Sequence, residues 1–404
     1  KSMRIDINKI VPQVFLAFIL VKAFSGPIGI IFQPLNYVPT LMMLILMLRR
    51  WAIDVMTKPV SLALVTLVIL YFIIGIGNFS TLQASFGLYI MIPFFYCLTY
   101  SKTIAYYVFN GTQKVYFFLF ITCCIGIAYV SMFGAPWLGG IINVGGVDKV
   151  ISRDWTTGGV LRNPGFTAAS FDAATLLMIS SFFIISKFFE DKKFVLAFLI
   201  FLTSIYFIYL TTTKTTIVTL IIALVLMLTP VFLTKIMVKI IIIVSILFSY
   251  FYMIPQLKYE TYDPQNTLLM RMYSTWPRAI SLLDDSISIF VGKGFGAIGT
   301  PAQYFSPKFY SPGDNVLVYM YVICGFVSVI LVGLFVFKFL FSRFYDASLA
   351  KKYYIICFCI MVGGVTYNLF ESVFYSTSLG VLIGFLFDKN ACKLSFNFNH
   401  KIIR

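Results

Sequence analysis

A few cations and carboxylates stand out from an otherwise apolar chain, and their types suit phosphate recognition and proton transfer. Arg162 lies in Gly158-Gly-Val-Leu-Arg162-Asn-Pro164-Gly165-Phe166. A Pro-Gly turn is rigid, so it fixes the guanidinium at a membrane surface, where its planar fork of donors matches a phosphate or diphosphate. Snorkelling to the interface is the plainer role for the same residue. Lys214 sits among five threonine hydroxyls in Leu210-Thr-Thr-Thr-Lys214-Thr-Thr-Ile217; an anion nest and an ordinary hydrated turn both account for it. Arg271 and Arg278, in Arg271-Met-Tyr-Ser-Thr-Trp276-Pro-Arg278, are two helical turns apart. A helix would set them on one face, about 10 Å from each other, to bridge a diphosphate or to lie on anionic lipid. Pro277 stands between them.

The acids fall at the ends of apolar runs. Asp314-Asn315 follows Ser311-Pro-Gly313 and opens one such run. Either side chain can cap a helix there, and a partly desolvated carboxylate at that place is a candidate general base. Asn315 is also a candidate for holding glycan or diphosphate. Glu371 occupies the tight connection Asn368-Leu-Phe-Glu371-Ser372, and Asp172 lies six residues into another run, in Ala169-Ser-Phe-Asp172. Ionisable groups at membrane depth are functional candidates, with pairing to Lys or Arg the structural alternative for Asp172. The single histidine, His400, excludes a Ser-His-Asp triad. Carboxylates do not cluster at the density of a metal site, and the seven cysteines lie in or beside apolar runs without ligand-like spacing. The expected chemistry is arginine electrostatics with a carboxylate base, without metal or cofactor, and with a stabilised phosphate as leaving group.

These residues need a scaffold, and composition specifies its solvent. Of 404 residues 60% are hydrophobic and only 11% charged, against about 25% charged in a soluble domain. A polytopic, all-α membrane protein is expected, built as one integral domain. Twelve apolar runs are near 10–32, 35–48, 59–77, 83–100, 115–133, 166–186, 194–211, 215–234, 239–255, 315–337, 353–370 and 372–388. The first reads as a retained span, not as a cleaved signal. The net charge of +16 is scattered between these runs, which excludes a nucleic-acid face and fits the positive-inside rule. With both termini in the cytoplasm, the inner side carries more than twice as many basic residues as the outer. Lys22 alone sits inside a span.

That orientation places two large loops outside, 134–165 and 255–314, the second before the last three spans, and a tail, 389–404, inside. Thr267–Leu283 is expected to be an amphipathic helix with Leu268, Met272, Trp276, Ile280 and Leu283 on one face. The inner loops are too short for a nucleotide-binding domain, and Gly292-Lys-Gly294-Phe-Gly296 lacks the strand context of a dinucleotide loop.

Four segments, in this order, resemble the polytopic O-antigen ligase and Wzy-type O-antigen polymerase superfamily: Gly159-Val-Leu-Arg162-Asn-Pro-Gly165-Phe; Thr211-Thr-Thr-Lys214-Thr-Thr; Arg271…Trp276-Pro-Arg278-Ala…Val291-Gly-Lys-Gly294-Phe-Gly296; and Asp314-Asn315 opening a run that contains Gly325. The resemblance implies a GT-C-like glycosyltransferase of the bacterial inner membrane, using undecaprenyl-diphosphate-linked glycans as donor and acceptor at the periplasmic face. It gives the diphosphate to Arg162, Arg271 and Arg278, and more loosely to Lys214. Ligases of that family carry His-Asn where this chain has Asp314-Asn315, which favours the polymerase branch. There, Asp314 or else Glu371 would be the base, and a chain-length-determining protein is an expected partner. Two rivals remain: a ligase acting on lipid A core, and a non-enzymatic flippase of lipid-linked repeats.

Overall fold

The computed structural model describes residues 7–110, 113–144, 147–157, 159–253, 267–342, 344 and 346–388. Lys1, Arg4, Gly158, Lys258, Arg343, residues 254–266 of the second large loop, and the tail 389–404 with Cys392 and His400 lie outside the described residues.

The chain is mostly helical. Its first apolar run forms α1 (Ile7–Ala23) and α2 (Ser25–Ile31), bent by 82°. Pro27 supplies no N–H to continue the ladder, and Gly26 N–H instead donates to Phe166 O at 2.8 Å. After a 3-10 turn come α3 (Val38–Asp54), α4 (Pro59–Asn78), α5 (Thr81–Thr99), α6 (Ser101–Asn110) and α7 (Gln113–Phe133). Pro59 opens α4 at the position where its missing N–H costs nothing. Ser80 caps α5 by accepting from Gln83 N at 3.1 Å. The short α6 lies where the sequence suggested only a connection.

The first large loop carries two small antiparallel hairpins, β1 (Ile141–Val144) with β2 (Val147–Val150) and β3 (Thr156–Thr157) with β4 (Val160–Leu161). Then follow α8 (Ser170–Glu190), α9 (Phe194–Leu210), α10 (Lys214–Leu228) and α11 (Val231–Tyr252). The second loop holds α12 (Thr267–Met270), a π turn over Arg271–Thr275, α13 (Trp276–Ile280), α14 (Ser286–Val291) and α15 (Thr300–Phe305). The chain continues through α16 (Val316–Cys324), α17 (Phe326–Leu340), α18 (Ala347–Thr366) and α19 (Val373–Phe387).

Among the described residues six helices, α4, α5, α7, α8, α11 and α18, are long and apolar enough to cross a membrane, and the bent α1–α2 pair would make a seventh. The shorter apolar helices α9, α10, α17 and α19 have 15 to 17 residues, fewer than the roughly 20 that a straight span requires. The expected run 315–337 is two helices, because Gly325 adopts φ +55° between them. A Cβ there would collide with Phe290 and Gly292.

Packing separates core from lipid face. α19 lies along α5, α8 against α7 and α9, and α18 against α11. Ile69 and Ile73 of α4 and Val244 and Leu247 of α11 stay exposed. Leaving one such side chain in water forgoes about 1.5–3 kcal/mol of burial, a cost that a hydrocarbon surrounding removes. This is a membrane protein.

Gly292, Gly294 and Gly296 take φ +85°, +79° and +90°. Their segment threads between α4, α5 and the end of α16. Phe295 N–H donates to Tyr71 O at 3.0 Å, and Gln83 Nε2 donates to Gly296 O at 2.8 Å. The glycines let two backbones touch and hold the second loop onto the helices.

Candidate functional site

Arg162 ends the second hairpin, its N–H donating to Trp155 O at 2.7 Å. The Asn163-Pro-Gly165 turn after it is pinned to α7. Asn163 Nδ2 donates to Ile127 O and Ser131 Oγ, both at 2.8 Å, while its Oδ1 accepts from Gly165 N. The rigid turn read from the sequence therefore has a tertiary anchor. Arg162 Nε is buried without a hydrogen-bond partner. Burial lowers the guanidinium's affinity for its proton, Tyr367 and Asp314 oppose that shift, and Arg271 and Arg153 add to it.

Arg271 reaches the same place from the second loop. Its Nε donates to Asp314 Oδ2 at 3.3 Å, and its guanidinium lies 5.9 Å from the Tyr367 ring centroid. Burial raises the Tyr367 hydroxyl above the ordinary tyrosine range, with Arg271 and Arg162 pulling the other way. Arg162, Arg271, Asp314 and Tyr367, from four distant segments, make one cluster.

A row of rings extends the cluster. Arg162 and Arg153 lie 5.7 and 4.6 Å from Trp155, Arg153 lies 5.7 Å from Phe171, and Phe171 stacks on Tyr367 at 5.9 Å. Guanidinium groups over aromatic faces hold their orientation without spending all their donors.

Next to this cluster is a cavity of about 370 Å³ whose lining includes Lys22, Lys149, Arg153, Asp172 and Glu371. Lys149 is placed by the first hairpin, where it pairs with Ile142, and its side chain lies 5.7 Å from the Tyr37 ring. Burial lowers its pKa, and Arg153 lowers it further. Lys22 Nζ donates to Asn36 O at 3.0 Å. Among the described residues no carboxylate lies within ion-pair distance of Lys22, Lys149, Arg153 or Arg162. Ser372 Oγ donates to Asp172 Oδ1 at 2.9 Å. Thr300 donates twice to Glu371, N–H to Oε1 and Oγ1–H to Oε2, each at 2.6 Å. Burial raises the Glu371 pKa above the ordinary range; the Thr300 bonds and Arg153 oppose this, and Asp314 adds to it.

Three residues expected at the site are placed elsewhere or used otherwise. Asn315 is fully buried. Its Oδ1 accepts from Leu317 and Val318 N–H as the cap of α16, and its Nδ2 donates to Ser249 Oγ at 2.9 Å, leaving its amide no role toward glycan. Arg278 is exposed while Arg271 is half-buried. Pro277 has no N–H for the preceding turn, which widens into the π turn. Fewer degrees per residue put the two arginines out of register, and the regular helix stops at Ile280 instead of Leu283. Lys214 is exposed at the start of α10, although the neighbouring Thr215 and Thr216 face Tyr367.

Lys149, Arg153, Trp155 and Tyr367 were not singled out by sequence. Lys22 had a signal, as the one basic residue inside an apolar run. Lys149 and Arg153 had none beyond loop charge, since only the hairpins bring them inward.

The fold and site define a class: a helical membrane protein with a charged, arginine-bordered cavity where helix ends meet two structured loops. Comparison with family models, curated proteins and solved structures returned no match.

Proposed function

We propose that this protein is a glycosyltransferase of the bacterial inner membrane. It would polymerise undecaprenyl-diphosphate-linked oligosaccharide repeats into O-antigen or a related surface polysaccharide. In this reading α3 and the four shorter apolar helices complete twelve GT-C-like spans, both termini are cytoplasmic, and the cavity faces the periplasm.

The observation that carries the proposal is the meeting of Arg162, Arg271 and Asp314 beside a cavity that Glu371 lines. The arginines take the donor diphosphate, and Asp314 holds Arg271. A sugar hydroxyl of the acceptor attacks the donor's anomeric carbon. The new C–O bond forms as the bond to the phosphate oxygen breaks, and its electron pair leaves with undecaprenyl diphosphate. Glu371 accepts the hydroxyl proton, its oxygens retaining lone pairs beyond those that Thr300 uses. Charge developing on the leaving group is met by guanidinium groups already in place.

The test is incubation of purified protein in nanodiscs with synthetic undecaprenyl-diphosphate repeat units, EDTA and no nucleotide. A ladder on a gel supports the reading. Without a ladder it fails, transfer of preformed polymer to added lipid A core indicates the ligase, and transbilayer movement of the lipid alone indicates the flippase.

A further inference from the structure

We propose that the cavity holding Lys22, Lys149 and Arg153 is the head-group end of a second lipid site, with an apolar cleft below it taking a single lipid chain. Its ligand is a one-chain lipid phosphate or diphosphate bearing sugar hydroxyls. Under the polymerase reading, on which this assignment of role rests, that ligand is the acceptor, while Arg162 and Arg271 hold the donor.

The wall helices carry the inference. An apolar cleft of about 470 Å³ is lined by Leu16, Ile19, Leu176, Ile179, Phe374 and Val381 among others. Phe374 also lines the charged cavity. On α1 the wall changes from Ile19 to Lys22, and on α8 from Leu176 to Asp172, each within one helical turn. Charged cavity and apolar cleft are thus successive stretches of the same helix faces. Along α1 the cleft runs from Ile19 to Lys9, roughly 15 Å at the helical rise and about half the hydrocarbon thickness. That matches one chain within one leaflet.

The head-group end has unmet polar capacity. Its three cations have no carboxylate within ion-pair distance among the described residues. Ser25 Oγ and Asn36 Oδ1, both on the lining, are buried without a hydrogen-bond partner. Buried polar atoms normally find partners. The lining also holds acids: Asp154 is exposed, while Asp172 and Glu371 already accept from Ser372 and Thr300. Cations beside accepting carboxylates suit a phosphate carrying hydroxylated sugar better than a bare phosphate.

Native mass spectrometry of the full chain in phosphatidylcholine nanodiscs, titrated with sugar-free undecaprenyl diphosphate, tests this. Two lipids bound to the native protein, and one each to Arg162→Ala/Arg271→Ala and Lys149→Ala/Arg153→Ala, is the expected result. In the Arg162→Ala/Arg271→Ala background, Ile179→Trp should weaken undecaprenyl diphosphate by about tenfold and leave isopentenyl diphosphate, whose five carbons end above that level, within about threefold. Leu16→Trp, on the opposite wall, should do the same and serves if Ile179→Trp does not fold. Unchanged stoichiometry in Lys149→Ala/Arg153→Ala, equal weakening for both chain lengths, or displacement by equimolar phosphatidylglycerol would overturn the assignment. Such a result with an intact polymer ladder defeats this inference alone; two bound lipids with no ladder defeat the enzymatic reading alone.

Discussion

Glu371 and Thr300, 71 residues apart, are joined by two hydrogen bonds of 2.6 Å, one to each carboxylate oxygen. The pair caps α15 and fastens the second large loop to the connection between α18 and α19. The proposed base is therefore also the residue that holds the loop over the cavity.

Glu371→Gln separates these duties. The amide keeps both contacts, its oxygen accepting from Thr300 N–H and its nitrogen donating to Thr300 Oγ1, but it cannot take a proton. Polymer formation should fall by about 10²–10⁴-fold, with elution on size exclusion and thermal stability close to native. Glu371→Ala should lose both activity and stability.

Because burial raises the Glu371 pKa, the acid limb of the activity profile should lie above the ordinary value of 4.5, activity rising with pH as the carboxylate forms. The linked stability runs the opposite way. A raised folded-state pKa stabilises below the unfolded pKa, and that contribution is lost as pH rises through the folded value. Thr300→Ala removes a bond to the ionised form, so it should move the limb further up. An initial-rate profile of native and variant protein measures both.

Arg162→Ala and Arg271→Ala should each lower the rate of polymer formation by about 10²–10³-fold, whereas Arg278→Ala and Lys214→Ala, both exposed, should remain within about twofold. A double-mutant cycle between Arg271 and Asp314 should give a coupling near 1 kcal/mol. Equal losses for Arg271 and Arg278 would show that both arginines face the substrate.

Gly294→Ala places a Cβ on Gly75 N and Tyr71 O and strains a φ of +79°. A loss of stability above about 2 kcal/mol is expected, measured by thermal unfolding in detergent.

Asn315→Ala removes a cap, which costs about 1–2 kcal/mol, and leaves Ser249 Oγ without its donor. It should lower the melting temperature while the activity of the molecules that remain folded stays near native, because the amide serves the helix end.

The sequence alone determined the apolar solvent and the positions of most of the long helices. Long apolar runs with few charges require a bilayer whatever their packing, and Pro-Gly and Asp-Asn mark ends that local chemistry dictates, as the pinned turn after Arg162 and the cap of α16 bear out. Arg162, Arg271 and Asp314 could also be singled out, because isolated charges in apolar surroundings are conspicuous by type. Tertiary structure decided which of them meet. Arg278 left the cluster because a π turn upstream of Pro277 changed its phase. Lys149 and Arg153 joined the cavity because two short hairpins, too weakly patterned to read, fold the first loop inward. Tyr367 gained its place through ring contacts with residues about 100 and 200 positions away. Helix ends and hydropathy are local properties of the chain, whereas the cavity is a relation among segments separated by hundreds of residues, fixed only when the helices pack.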